Sequence, residues 1–200
     1  MSYTDFDIPR VEKDLHLTVV VEKIDWQLEP IAPSEWLLKS LEKGEKNAFV
    51  SEKARSEFIV APILLAAQEI SNYEVQIFSG QTLNVEPSIG LTGECDFILS
   101  KTKPTPALKS PIVSLVEAKK NDIELGLGQC IAQMFAAAIF NRQTDDNEFQ
   151  VIFGCVTTGE TWQFLKLQEN IAIVDSERFY LSEVEKILGV FKSIFDFYKA

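Results

Sequence analysis

Two acidic residues and one lysine are spaced so that the end of a strand could bring them together. Glu117 and Lys119 follow directly on the apolar run Ile112–Val116, and Asp96 lies upstream of that run. Side chains alternate between the two faces of a strand, so Glu117 and Lys119 would share one face. A run that is apolar on both faces is typical of a covered central strand, and charged groups at its end require partners. The available partners are Asp96, a divalent metal ion or both, so we predict a charged cluster at the edge of a sheet.

Asp96 lies in a predicted strand in which polar and apolar residues alternate. Cys95 and Phe97 would face the core, while Asp96 and Ile98 would share the other face. Taken alone, this pattern also fits a solvated outer face, and the Glu-x-Lys triplet also fits a structural ion pair. A plain α/β domain whose charged cluster is only structural is therefore an alternative.

Glu57 is a third candidate acid. On an α-helix it would share a face with Val60, Ala61 and Leu64, so we predict that it lies on a buried stripe and reaches toward the other two acids. The alternative is an acid near the start of a helix, where the helix dipole favours negative charge.

Two amides follow the sequence Gly126-Leu127-Gly128 within an otherwise apolar helix. Gln129 and Gln133 are one helical turn apart, so both could point back at the charged cluster. For Gln133, hydrogen bonds to loop carbonyls are an alternative.

The hydrophobic pattern and the turn signals place these residues in a chain that alternates helices and strands. Strands are predicted at His16–Glu22, Tyr73–Phe78, Leu91–Leu99, Ile112–Lys119, Phe149–Thr157, Glu160–Leu167 and Ile171–Val174. Helices are predicted at Pro33–Lys43, Ser51–Ile70, Ile123–Asn141 and from Val184 to Tyr198. Pro62 predicts a kink or a later helix start, and Thr144–Glu148 predicts a polar turn. This order predicts an α+β or mixed α/β fold with a small sheet between helices.

The composition is that of a globular domain rather than of a disordered chain. Of the 200 residues, 46% are hydrophobic and 24% are charged, and no apolar run reaches the length of a membrane span. The N-terminus lacks the basic start and apolar core of a signal peptide. The three isolated cysteines give no zinc spacing and suit buried thiols, and the single His16 excludes catalysis by a pair of histidines. We therefore expect one cytoplasmic domain over residues 1–200, without a membrane partner.

The net charge limits the possible partners. The chain has 30 acidic and 19 basic residues, a formal net charge of −11, which argues against tight non-specific binding of nucleic acid by a monomer. A local basic patch, or else an ordinary solvated loop, is predicted at Lys101, Lys103, Lys109, Lys119 and Lys120. The chain has no Gly-x-x-x-x-Gly-Lys loop, so nothing supports nucleotide binding.

The order and spacing of these elements resemble the PD-(D/E)xK nuclease superfamily, especially the N-terminal nuclease domains of type I restriction subunits. The stretches Gly93–Phe97, Val116–Lys120 and Gly126–Gln129 carry the resemblance, and Ala54–Leu64 resembles the first core helix of those domains. The similarity covers roughly residues 51–167. Cys95 stands where the superfamily usually has a proline before the acidic residue, a position that varies among its members.

The resemblance implies a fold, a metal and a reaction. The fold would be a restriction-endonuclease-like core, a small mixed sheet flanked by helices. Asp96 and Glu117 would hold Mg²⁺ or Mn²⁺, with Glu57 as a further ligand directly or through water. Lys119 would orient the attacking water and stabilise the transition state, and Gln129 would help to place Lys119 or that water. The reaction would be hydrolysis of DNA phosphodiester bonds, leaving 5′-phosphate and 3′-hydroxyl ends.

Two functions follow as expectations from the resemblance and the charge. The first is a DNA endonuclease or nuclease subunit of a restriction, defence or DNA-processing system, acting as a homodimer or with a basic partner subunit. The alternative is a non-catalytic, restriction-endonuclease-like binding or scaffold subunit. In either case we expect a nuclease-like core at residues 51–167, an N-terminal extension at residues 1–50 and a C-terminal helix within residues 175–200 packed on that core.

Overall fold

A mixed sheet of eight strands forms the centre of residues 1–48, 50–144 and 151–199, the part of the chain that the computed structural model describes. The strands are β1 (Thr18–Glu22), β2 (Gln76–Thr82), β3 (Glu94–Ser100), β4 (Ile112–Ala118), β5 (Val151–Thr157), β6 (Thr161–Gln168), β7 (Ile171–Asp175) and β8 (Phe179–Tyr180). Their spatial order is β1-β7-β6-β5-β4-β3-β2, and β8 pairs with β6. Pairs β1–β7 and β4–β5 are parallel, while the other pairs are antiparallel. The strand that carries the Glu-x-Lys triplet is therefore central.

Helices cover both faces of this sheet. They are α1 (Ile8–Leu15), α2 (Glu35–Ala48), α3 (Glu52–Arg55), α4 (Ala61–Ile70), α5 (Glu124–Thr144) and α6 (Val184–Phe197). Buried side chains of α2, α4 and α6 share one core cluster with the sheet, and those of α1 and α5 share the other. Two hydrophobic layers therefore enclose the sheet.

The mixed α/β class and the arrangement of a sheet between helices are confirmed, although the sheet is larger than predicted. The strand predicted at Tyr73–Phe78 begins later, at Gln76, because Asn72 and Tyr73 have positive φ angles and form a turn. Sequence inspection missed α1, whose start carries a recognisable signal. The Asp7 side chain caps that helix by accepting from Arg10 N, and a proline follows in its first turn.

The alternation predicted around Asp96 is wrong. Cys95 and Ile98 are buried in the cluster beneath α5, whereas Phe97 and Leu99 are buried in the opposite cluster. At the start of β3, Glu94 is exposed and Asp96 is half-buried, whereas Phe97–Ser100 are buried because β3 lies between β2 and β4 and helices cover both faces there.

The helical region from Glu52 to Ile70 is interrupted just before Pro62, close to the kink or later helix start that this proline predicted. Ser51 Oγ accepts from Ala54 N at 3.1 Å and caps α3. A π-helical segment covers Ser56–Val60, and α4 then begins with Pro62 in its first turn. Proline has no N–H to offer the preceding turn, and a wider π turn is one way in which a helix adjusts to such a defect.

Residues 1–50 contribute directly to the sheet and to its cover. Their strand β1 pairs with β7, and Tyr3 and Phe6 are buried in the core beneath α5. The C-terminal helix α6 packs in the cluster on the other face of the sheet.

Two further sequence predictions concern the segment after α5 and the possibility of a membrane span. The predicted polar turn extends beyond Thr144 into residues 145–148, which lie outside the described residues, as does the first part of the strand predicted from Phe149. Among the helices of the described residues, none combines the length and the apolar character that a membrane span requires.

Candidate active site

The end of β4 brings Glu117 and Lys119 into direct contact on the face covered by α5. Lys119 Nζ donates to Glu117 Oε1 at 2.7 Å. The Glu117 side chain is only 3% exposed and that of Lys119 is 18% exposed. Ala118, between them, faces the opposite side of the strand. The predicted sharing of one face by Glu117 and Lys119 therefore holds in the structure.

Two amides of α5 complete the surroundings of this carboxylate. Gln129 Nε2 donates to Glu117 Oε1 at 2.6 Å, and Gln129 Oε1 accepts from Lys119 Nζ at 3.0 Å. Gln133 Nε2 donates to Glu117 Oε2 at 2.9 Å. Both amides thus point at the cluster, and the alternative of loop carbonyls for Gln133 does not apply.

A glycine in α5 makes room for the Lys119 side chain. A Cβ atom built on Gly126 would lie 3.1 Å from both Cγ and Cε of Lys119 and 2.6 Å from Val156 Cγ1. The absence of a side chain therefore allows the start of α5 to pack directly against the lysine stem and β5. This close approach explains the first glycine of the Gly-Leu-Gly sequence.

Asp96 lies near the start of the neighbouring strand β3 and is half-buried. Its side chain is hydrogen-bonded to the backbone of the triplet. Its Oδ2 accepts from Ala118 N at 2.8 Å. Burial raises the pKa of the Asp96 carboxyl, while the Ala118 N–H and the Lys119 charge oppose that rise, and the Glu52 and Glu94 carboxylates add to it. Asp96 is thus a carboxylate held close to others of the same charge.

Burial and the neighbouring charges shift the pKa values of both Glu117 and Lys119. Burial raises the pKa of Glu117 to about 7, and the neighbouring Asp96 contributes to this rise, although Lys119 and Gln133 oppose it. Burial lowers the pKa of Lys119, but the Glu117, Glu52 and Asp96 carboxylates outweigh burial and leave that pKa raised. The site therefore keeps its lysine protonated and holds two acids that repel each other.

Glu57 does not lie on a buried stripe, so that prediction is wrong. Its side chain is 55% exposed and lies 3.8 Å from Lys53 Nζ, measured from its Oε1. The helical face was predicted from a regular α-helix, whereas Glu57 lies within the π segment, whose wider turn changes the angle between successive side chains. Glu57 still lines a groove in front of Asp96.

That groove runs along the side of β4 that Ala118 faces. It has a volume of about 460 Å³ and is lined by the acids Glu52, Glu57, Glu94 and Asp96, together with residues of α3, β2 and β3. Glu117 and Lys119 face α5 on the other side of β4, so Asp96 lies between the groove and the buried part of the cluster. Sequence reasoning missed Glu52, the acid that acts electrostatically on both Asp96 and Lys119. Its position next to the N-cap Ser51 was the only available signal, and that signal also fits a purely helix-stabilising role.

The predicted basic patch is divided between the two ends of the sheet. Lys119 and Lys120 lie at the end of β4, by the cluster. Lys101, Lys103 and Lys109 belong to the connection from the end of β3 to the start of β4, at the opposite end of these strands. They therefore do not surround the site, and this prediction is wrong for all three.

The donor set of the cluster fits a hard divalent cation held by two carboxylates. Asp96 and Glu117 are close enough to raise the pKa of Glu117, and a bound cation would relieve their repulsion. Mg²⁺ commonly uses one or two carboxylates and keeps several waters. The residues do not form a ready cage, since no group of three or more His, Cys, Asp or Glu within the described residues is arranged to hold a metal ion.

Comparison with known proteins assigns this chain to no family. The sequence matches no protein-family model, and a search of curated proteins found no similar sequence.

Proposed function

We propose that this chain is a metal-dependent phosphodiesterase that hydrolyses DNA, built on a restriction-endonuclease-like core of the PD-(D/E)xK type. In this proposal Asp96 and Glu117 hold Mg²⁺ or Mn²⁺, and Lys119 faces the reacting phosphate. The observation that carries the proposal is the Glu117 carboxylate, which is buried beside Asp96 and bonded to Lys119 and two amides. Burying an ionisable group costs stability even when it is paired, and strongly shifted pKa values cluster at functional sites, which supports a chemical role for this carboxylate.

Lys119 has the donor capacity that the reaction needs. Its ammonium group carries three N–H donors, and within the described residues two of them are taken, by Glu117 and by Gln129. The third can donate to the attacking water or to a non-bridging phosphate oxygen, where charge increases in the transition state. Gln129 fixes the direction of the ammonium group and so determines where that third donor points.

The metal supplies the remaining chemistry. When bound, the divalent cation would lower the pKa of a coordinated water and neutralise charge on the phosphate. Glu52 is better placed than Glu57 to act as a further acid, because it influences both Asp96 and Lys119.

A second candidate function is a non-catalytic binding or scaffold subunit of the same fold. The acidic groove favours it, because its four carboxylates, Asp96 among them, repel a phosphate backbone. The same groove also fits an enzyme that obtains its basic surface from a second copy or from a partner subunit.

The test is cleavage of supercoiled, linear and single-stranded DNA in Mg²⁺ or Mn²⁺, together with calorimetric titration of Mn²⁺. We expect the wild type to cleave DNA and bind Mn²⁺, and Asp96→Asn to lose both while it keeps the hydrogen bond from Ala118 N. Asp25→Asn, a change at an exposed aspartate in a loop outside the site, is the matched control. Mn²⁺ binding without cleavage of any DNA form would favour the scaffold function. A folded wild type that neither binds Mn²⁺ nor cleaves DNA would contradict the proposal.

A further inference from the structure

Gln133 is a polar residue at a buried position where an apolar side chain would cost less free energy to bury. Its side chain is fully buried, at 0% exposed, within a stretch of α5 that includes Met134 and Ala137. Its Nε2 donates to Glu117 Oε2 at 2.9 Å, whereas its Oε1 has no hydrogen-bond partner among the described residues. An unpaired buried acceptor costs stability, and a methionine of similar size would avoid that cost. The amide is therefore explained by what its Nε2 group does for Glu117.

The two oxygens of Glu117 are used unequally. Oε1 accepts from Lys119 Nζ at 2.7 Å and from Gln129 Nε2 at 2.6 Å, which uses both of its lone-pair directions. Within the described residues, Oε2 accepts from Gln133 only, so it keeps capacity for one more partner. Gln133 thereby fixes the orientation of the oxygen that is still available.

We propose that Gln133 is a positioning residue that directs Glu117 Oε2 toward a divalent cation. The inference rests on the proposed function and deepens it, because it assigns the coordinating oxygen and the residue that orients it. Groups that hydrogen-bond to metal ligands typically change metal affinity by about 10- to 100-fold when they are removed.

The experiment compares Mn²⁺ binding and thermal unfolding in the wild type, Gln133→Met and Gln143→Met. Gln143 is exposed near the end of the same helix, so its variant makes the same chemical change away from Glu117. We expect Gln133→Met to weaken Mn²⁺ binding by about tenfold or more. Its melting temperature should change little, because the variant removes the unpaired Gln133 Oε1 but also removes the donor to the buried Glu117 Oε2. Gln143→Met should change neither quantity.

The outcomes separate this inference from the proposed function. Mn²⁺ binding by Gln133→Met within about twofold of the wild type would overturn the positioning role and leave the proposed function standing. A wild type that binds no Mn²⁺ would overturn the proposed function and this inference with it. If Gln133→Met does not fold, Gln133→Asn replaces it, since it keeps an amide but withdraws the donor by one methylene. Weaker Mn²⁺ binding by the folded asparagine variant supports the inference, and unchanged binding overturns it.

Discussion

At the scale of single residues, the Glu117 carboxyl links the stability of the protein to pH. Burial, followed by the charge of Asp96, raises its pKa from an ordinary 4.5 to about 7. Between these two values the unfolded chain has released a proton that the folded chain keeps. The free energy of unfolding therefore falls as the pH rises through this window, by about 3 kcal/mol for this group. The raised pKa of Asp96 acts in the same direction.

Glu117→Gln should remove most of this pH dependence. Without divalent cations, we expect the wild type to be less stable at about pH 8 than at about pH 5, and the variant to differ much less between the two. Urea denaturation at both pH values measures the difference. Mn²⁺ should restore stability to the wild type at the higher pH but not to the variant. Equal pH slopes for the two proteins would contradict the raised pKa.

Gly126→Ala should disturb the site through Lys119. The new Cβ would lie 2.6 Å from Val156 Cγ1 and 3.1 Å from two atoms of the lysine stem, so the lysine or the helix must move. We expect a loss of about 1–3 kcal/mol in stability from overpacking. We also expect cleavage to fall about tenfold or more, because the ammonium donor is displaced. Leu125→Ala is the control at the adjacent, exposed position. Full activity of Gly126→Ala would show that the placement of Lys119 is not required.

Glu52 and Glu57 make a matched pair of acids in the same groove. Glu52 acts on both Asp96 and Lys119, whereas Glu57 lies beside Lys53 in an exposed position. We therefore expect Glu52→Gln to weaken Mn²⁺ binding severalfold and Glu57→Gln to leave it nearly unchanged. Calorimetric titration of both variants measures this difference. The reverse order of effects would restore Glu57 to the role that the sequence predicted for it.

At the scale of elements, the N-terminal segment connects the two elements that carry Asp96 and Gln129. Tyr3 N donates to Thr92 O at 3.1 Å, just before β3, and Tyr3 hydroxyl donates to Leu83 O at 2.8 Å. A few residues later, the Asp7 backbone lies against Gly128 of α5, where an added Cβ would come within 2.5 Å of it. Residues that the sequence left without a role thus join β3 to α5.

Gly128→Ala should weaken this connection without touching Lys119. The contact is with backbone atoms, which cannot rotate away, so we expect a loss of at least about 1–3 kcal/mol in stability. Hydrogen exchange of residues 3–15 should become faster, because the segment can no longer pack closely on α5. Gln143→Ala, on the exposed side of the same helix, should change neither quantity. Unchanged exchange in Gly128→Ala would mean that this contact does not fix the segment.

At the scale of the whole molecule, the proposed function would require a DNA backbone to lie where the distribution of charge allows it. The net charge is −11, the groove in front of Asp96 is acidic, and Lys101, Lys103 and Lys109 lie at the opposite end of β3 and β4. The length of β3 separates the two ends by roughly 15–20 Å. At physiological salt, exposed charges are largely screened beyond about 8 Å. The distant lysines therefore contribute little to the potential at the site.

The double variant Lys103→Gln/Lys109→Gln should cleave DNA at the wild-type rate, whereas Lys120→Gln should bind DNA more weakly. Lys103 and Lys109 are exposed in the connection between β3 and β4, while Lys120 directly follows Lys119 at the site. DNA binding in Ca²⁺ at several salt concentrations, together with cleavage in Mg²⁺, measures both effects. A large loss of affinity in the double variant would place the DNA along the far end of the sheet.

Much of the fold could be predicted from the sequence because hydrophobic patterns depend on local geometry. The covered run Ile112–Val116 predicted a central strand, and the order of the elements predicted a sheet between helices, both of which the structure contains. Helix α1 could have been predicted from Asp7 and the proline that follows it. The pairing of β1 with β7 could not, because a strand pair distant in sequence leaves no local signal.

For the candidate site, the sequence by itself determined that Glu117 and Lys119 share a face, since alternation along a strand is a local property. It also determined the one-turn spacing of Gln129 and Gln133. Only the tertiary structure decided which of the other candidate groups, such as Glu57 and the lysines after β3, meet them. The π segment turned Glu57 outward, and the hairpin of β3 and β4 placed the lysines of its turn far from the carboxylates at its open end. Such choices depend on how separate elements pack, and a single chain position carries no information about a neighbour distant in sequence.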